Sequence, residues 1–253
     1  MRRPADITEE TRALLIALAE RYEQRAFIDG DPSWHMHQAT GPRQQEAVAF
    51  VAAALSYGSR RQFMPKISHI TELAGGDVHT WLLHDGYAEA FRCDDTTCYY
   101  RLNSRAQMHR FLAAYAAILR RHGTLGEALR TAGVSDGPAA LRTICRIFAD
   151  SHCGLVPQDT ASACKRLCMF LRWMVREGSP VDLGLWAHFI DRRTLIMPLD
   201  THVVSEARRL GLTTCAAATM SHARSLTATV AQVFPDDPLR ADFALFGYGV
   251  THS

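Results

Sequence analysis

The sequence predicts an all-α fold. Apolar residues recur at helical spacing along most of its length, one short segment alone reads as strand, and no repeat, low-complexity stretch or long linker interrupts the chain. At 253 residues it can bury one large core or fold as two lobes.

The elements follow in order. Ile7, Leu14, Leu15, Leu18, Tyr22 and Ile28 mark a helix over 7–28, opened near Thr8 and stopped by Asp29-Gly30-Asp31-Pro32. Trp34, His35 and His37 fall on a predicted loop, where the histidines read as solvated polar groups rather than metal ligands. Gln44 to Tyr57 is almost wholly apolar, so its helix belongs at the centre of a core. Gly58 ends it, and Ser59-Arg60-Arg61-Gln62 opens a helix reaching about Leu73. Arginines beside the free amides of a helix start suit a phosphate, the alternative being a solvated charged turn.

Shorter helices are expected around Trp81 and Tyr87, and Cys98-Tyr99-Tyr100-Arg101 is the strand-like piece. Met108, Phe111, Leu112, Tyr115, Ile118 and Leu119 form the inner face of a helix over 104–122, ended by His122-Gly123. Helices then follow over Thr124 to Ala132, Pro138 to Ser151, a stretch carrying Lys165, Asp182 to Ile190, 201–210, Met220 to Phe234 and roughly 239–248.

Composition narrows the class. Hydrophobic content of 47% and charged content of 21% are those of a globular protein. The N-terminal Met1-Arg2-Arg3-Pro4 is followed by no apolar run long enough for a signal peptide, and no segment approaches a membrane span. The expectation is a cytoplasmic monomer with reduced cysteines and no membrane partner. Cys93 with Cys98, and Cys164 with Cys168, have no second pair at zinc-ribbon spacing, so no metal and no cofactor are expected. A formal charge of +2 permits nucleic-acid binding without demanding it.

The chain turns on Ser162 to Leu212. Of 28 Lys plus Arg, only Lys66 and Lys165 are lysine. Arg cannot lose its proton to become a nucleophile, whereas a partly buried Lys can. Asp200, between Pro198 and a helical run, reads as an N-cap at the positive end of a helix dipole. A surface amine and a plain cap are the ordinary readings of each. An amine and a carboxylate at one site share few uses, and one is attack on an electrophilic sugar carbon to give a Schiff base.

Leu199-Asp200-Thr201-His202-Val203, followed by Arg208-Arg209-Leu210-Gly211-Leu212, resembles the aspartate segment of the helix-hairpin-helix DNA glycosylase superfamily. The 35 residues from Lys165 to Asp200 make it most similar to the archaeal 8-oxoguanine glycosylases, with Gly178 to Thr194 as the extra segment. The strings C-K-R-L-x-M-F-L-R-W-M and P-L-D-T-H, with Asp-Pro at Asp31, also resemble a bacterial family of unknown function over roughly residues 20–250.

The glycosylase resemblance implies two helical lobes, approximately 40–150 and 1–39 with 151–253, the active site between them. It implies Lys165 as nucleophile, Asp200 as the catalytic carboxylate, and DNA with a damaged base as partner. A last-helix Asp242 and Phe246, one turn apart, match the base-pocket pair; Met169 stands where those enzymes carry an aromatic, and Trp34 is a further pocket candidate. The family's L-P-G-V-G hairpin is replaced by Leu155-Val156-Pro157-Gln158-Asp159-Thr160, so Arg166, Arg172 and Arg176, with Arg60 and Arg61, are the expected DNA contacts. Trp173, two turns past Lys165, is expected in the core. A monofunctional glycosylase and a non-catalytic nucleic-acid binder on the same fold are the alternatives.

Overall fold

The structure, a computed structural model, describes residues 6–252; residues 1–5, within the segment read above for a signal peptide, lie outside them. It is an all-α protein. In chain order the helices are α1 (Glu9–Tyr22), α2 (Ser33–Gln38), α3 (Pro42–Leu55), α4 (Arg60–Leu73), α5 (Val78–Leu83) and α6 (Tyr87–Ala90). A hairpin of β1 (Cys98–Tyr100) and β2 (Asn103–Ser104) precedes α7 (Arg105–His122), α8 (Leu125–Thr131), α9 (Gly137–Ala149), α10 (Lys165–Val175), α11 (Thr201–Arg209), α12 (Met220–Val230) and α13 (Arg240–Thr251). Among the described residues no helix is long and apolar enough to cross a membrane.

The chain divides into two compact units. One comprises residues up to Asp29, Asp136–Leu141 and the chain from Thr160; the other comprises Gly30–Ser135 and Arg142–Asp159. In the second unit α3 is the centre, as its composition predicts: every residue from Glu46 to Leu55 is buried. Phe50 on α3 meets the rings of Phe111, Tyr115 and Phe148 at centroid separations of 5.6, 4.8 and 5.3 Å. The buried Glu46 carboxylate accepts from Leu125 N at 2.6 Å and Gly126 N at 3.1 Å, giving α8 a cap from a distant helix. A capping box of Ser104 and Gln107 starts α7, and Gly123 ends it at φ 81°.

In the first unit α13 packs against α1 and α11. Two glycines on α13 set that approach. A Cβ at Gly247 would lie 2.5 Å from Tyr22 Cγ on α1, and one at Gly249 would lie 2.8 Å from His202 Cβ on α11. Trp173 and Phe243 are buried at its centre, the former as expected.

Three expectations are corrected. Residues 7–28 are not one helix: α1 ends at Tyr22 and a separate 3-10 turn covers Arg25–Ile28. Trp34, His35 and His37 lie on α2, not a loop, because Asp31 Oδ1 accepts from Ser33 N at 3.0 Å and Ser33 Oγ at 2.7 Å. The Asp-Pro string is therefore a helix start rather than a stop. His35 is also buried rather than solvated; burial alone lowers its pKa to about 4, and its Nε2 has no hydrogen-bond partner.

The third correction concerns Asp182 to Ile190, which forms turns and no helix. Its backbone donors are used elsewhere: Leu183 N and Trp186 N bond the carbonyls of Trp173 and Met174, at 2.7 and 2.6 Å. The segment thus caps the C-terminus of α10, whose last carbonyls have no partner inside the helix. Gly184, at φ 65°, has Glu177 Cα within 2.8 Å of where a Cβ would stand.

Candidate active site

The site forms where α10 and α11 begin. Cys164 precedes α10 in the left-handed conformation, φ 48° and ψ 37°, with no side-chain cap. Lys165 is therefore the first helical residue, a cation at the end of the dipole that favours anions. Asp200 supplies the anion. It is the N-cap expected from the sequence, its Oδ1 accepting from His202 N at 2.9 Å.

Its other oxygen, Oδ2, accepts from Lys165 Nζ at 2.5 Å. One carboxylate thus fixes the start of its own helix and neutralises the start of another. The lysine side chain is 36% exposed and the aspartate 15%, so the pair lies at the edge of solvent. Burial works to raise the Asp200 pKa, but the Lys165 charge, its hydrogen bond and the His202 N–H together hold it below the ordinary carboxylate value.

One turn into α10, Met169 is half-buried, and Arg166 is half-buried beside Lys165. Phe246 on α13 is half-buried too, its ring 5.9 Å from that of His202 and edge-on to it. Lys165, Asp200, Met169, Arg166 and Phe246 all belong to the first unit. Trp34, Arg60 and Arg61 belong to the second. There Trp34 is half-exposed against His35, Arg60 pairs with Asp31 at 3.4 Å, and Arg61 is exposed.

The structure overturns Arg172 and Arg176 as DNA contacts. Both side chains are buried, and carboxylates take them up on every side. Arg172 binds Asp182 at 3.2 Å and also Asp242; Arg176 binds Asp182, Glu23 at 2.6 Å and Asp237 at 2.8 Å. Arg240 closes the set on Glu23 at 3.1 Å, and the ring of Phe243 lies 4.4 Å from the Arg172 guanidinium carbon. Charges this far from water are stable only when paired and hydrogen-bonded, so neither arginine is free to meet a phosphate.

Asp242 is likewise no open carboxylate. Burial pushes its pKa up to about 6, against the pull of Arg172, with Asp182 and Asp200 adding to the rise. Burial pushes Asp182 up as well.

Sequence reasoning missed Glu23, Asp182, Asp237 and Arg240, whose spacing carries no local signal, and it missed the role of Gly249 against His202. The D-T-H string does contain His202, whose amide caps onto Asp200. Among the described residues no group of three His, Cys, Asp or Glu side chains is placed to hold a metal ion.

Residues 31–251 match the family model described as Protein of unknown function (DUF2400). The chain belongs to that family. No curated protein and no solved structure matches it. The DUF2400 match spans Lys165, Asp200, His202, the arginine network apart from Glu23, and α13, so the site lies within what the family shares in length. It also agrees with the resemblance to a family of unknown function read over roughly residues 20–250.

Proposed function

We propose that the chain is a DNA glycosylase with associated abasic-site lyase activity, acting on an oxidised purine, with 8-oxoguanine as the first substrate to try. One observation carries the reading. Lys165, one of two lysines among 28 basic residues, donates at 2.5 Å to a helix-capping aspartate at a partly solvent-open site. The buried cations farther along the same helix, Arg172 and Arg176, are arginines.

The attacking amine needs its lone pair, so a proton must leave Nζ, and Asp200 Oδ2 is already its acceptor. Nζ then bonds C1′ of the target nucleotide as the bond from C1′ to the base breaks. The base departs with the bonding pair and takes up the proton, and Asp200, ionised again, stabilises the cationic sugar. Opening of the sugar ring leaves a Schiff base on Lys165. Loss of a C2′ proton then expels the 3′ phosphate by β-elimination.

Phe246 is the side chain best suited to stack on an extruded base, worth on the order of 1–3 kcal/mol. Asp242, buried and bound to Arg172, is placed to hold α10 against α13 behind that site rather than to meet the base itself.

Borohydride trapping with a panel of lesion-bearing duplexes tests the reading. The wild type should form a covalent adduct and Lys165→Gln none. Lys165→Arg keeps the charge, so it should bind DNA and form no adduct. An adduct with Lys165→Arg would move the chemistry to another amine; Lys66, 4.8 Å from the Tyr99 ring centre, is then first in line. Base release without any adduct would indicate a monofunctional enzyme. Neither release nor adduct across the panel would leave a non-catalytic binder.

A further inference from the structure

Two exposed surfaces of this chain are complementary in chemistry. The first is the outer face of α1, in the first unit. Leu15, Leu18 and Ala19 are buried, so Glu10, Ala13, Ala17 and Glu20 fall on the opposite side at helical spacing, with Leu14 and Ile16 flanking them. All six are exposed. Among the described helices, α1 alone exposes two large aliphatic side chains.

The second surface is a groove of about 630 Å³ in the second unit, floored by Ala113, Ala114 and Ala117 of α7 and by Ile147 of α9. Side chains this small let another helix approach closely. Arg110 and Arg121 stand exposed at its two ends, and the exposed Asp150 joins one of them. That end is the Arg110 end. The Phe148 ring is 6.0 Å from that of Phe111, and Gln107 Nε2 is 3.0 Å from where a Cβ at Gly154 would stand, so the chain leaving α9 passes the first turns of α7.

The charges match in sign and in spacing. At 1.5 Å per residue, Glu10 and Glu20 are roughly 15 Å apart along α1, and Arg110 and Arg121 roughly 16 Å apart along α7. Glu9 is held by Arg12 at 3.4 Å, but none of these four is in an ion pair among the described residues. Antiparallel seating puts Glu10 on Arg121 and Glu20 on Arg110, and it brings the exposed Arg21 to Asp150. It also sets the acidic first turn of α1 beside the basic last turn of α7, with the helix dipoles opposed. Parallel seating would instead bring Glu10 to Asp150 and Arg21 to Arg121, like charge on like.

We propose that α1 of one copy docks antiparallel in the α7–α9 groove of a second copy, so that the chain self-associates in solution instead of remaining the monomer expected from its sequence. This contact does not depend on the DNA reading. One helix face is smaller than a standard interface, so the association is reversible and grows with concentration.

Sedimentation velocity of the full chain over a concentration series is the test. Wild type should sediment faster as concentration rises, and added salt should weaken the effect because the pairs are exposed. Glu10→Arg with Glu20→Arg should abolish it, and so should Arg110→Glu with Arg121→Glu. Each of these double variants repels its own kind, yet mixing the two should restore association, because the reversed helix of one fits the reversed groove of the other. A folding defect would not be rescued by mixing. Ala117→Trp fills the groove at an exposed position and should abolish association with thermal unfolding unchanged.

Direction is read from paired swaps: Glu10→Arg with Arg121→Glu should associate, and Glu10→Arg with Arg110→Glu should not. The reverse result would overturn the antiparallel seating. Wild type that stays monomeric across the series, or reversed variants that fail to rescue each other, would overturn the contact itself.

Discussion

One helix carries two kinds of charge. At its first residue, Lys165 meets a single carboxylate at the edge of solvent; at its far end, Arg172 and Arg176 are buried among Asp182, Asp242, Asp237 and Glu23. The arginines have their donors taken up and their protons fixed, which suits them to hold α1, α10 and α13 in place. The lysine has one partner, a proton it can give up and access from outside. Opposite charges in contact therefore do not by themselves mark a reactive site. Access, an ionisable amine and unsaturated hydrogen-bonding capacity separate the two ends of α10.

The sharpest break in that comparison is Arg176→Met. It strands the buried Asp182 and the half-buried Glu23 and Asp237, and it should cost about 3–5 kcal/mol in denaturant unfolding. A loss under about 1 kcal/mol would mean the network is not what holds the first unit together.

Next in size is the pH dependence through Asp242. Its pKa in the folded state is raised from 3.8 to about 6, so its contribution to stability is fully present below 3.8 and lost as pH rises through about 6. Asp242→Asn should remove that decline from the stability profile between pH 4 and 7. Asp200 has the opposite sign. Its lowered pKa gives stability above the ordinary carboxylate range that is lost as pH falls through the folded value, so Asp200→Asn should blunt the acid limb alone.

Asp200 also separates capping from chemistry. Asp200→Ala removes the cap and should cost about 1 kcal/mol, whereas Asp200→Asn keeps a good cap and should cost a few tenths. Both should abolish adduct formation if the carboxylate takes the amine's proton. Lys165→Arg should change stability least, by under about 1 kcal/mol given how exposed the pair is, yet eliminate the adduct. The smallest structural effect and the complete chemical one would then fall on the same residue.

Much of this was legible in the sequence because it is local. Helices α3, α7 and α11 follow from apolar spacing and from caps within four residues, such as Ser104 with Gln107 and Asp200 with the His202 amide. Asp182 to Ile190 misled because Leu183, Trp186 and Ile190 repeat like a helix face. Periodicity does not reveal that Leu183 and Trp186 amides are needed by the carbonyls of α10. Arg172 and Arg176 misled for a related reason: a basic residue on a helix looks like surface until its carboxylates are found.

By itself the sequence determined the all-α class, the cap at Asp200 and the rarity of lysine that singles out Lys165. Tertiary structure alone decided that Nζ reaches across 35 residues to Oδ2, that Glu23 and Asp237 converge on Arg176, and that Leu102 is left outside any core. The physical reason is range. Backbone hydrogen bonding and helical periodicity act within a few residues and are written in order along the chain. Ion pairing and burial depend on which distant segments meet, and no local pattern records that.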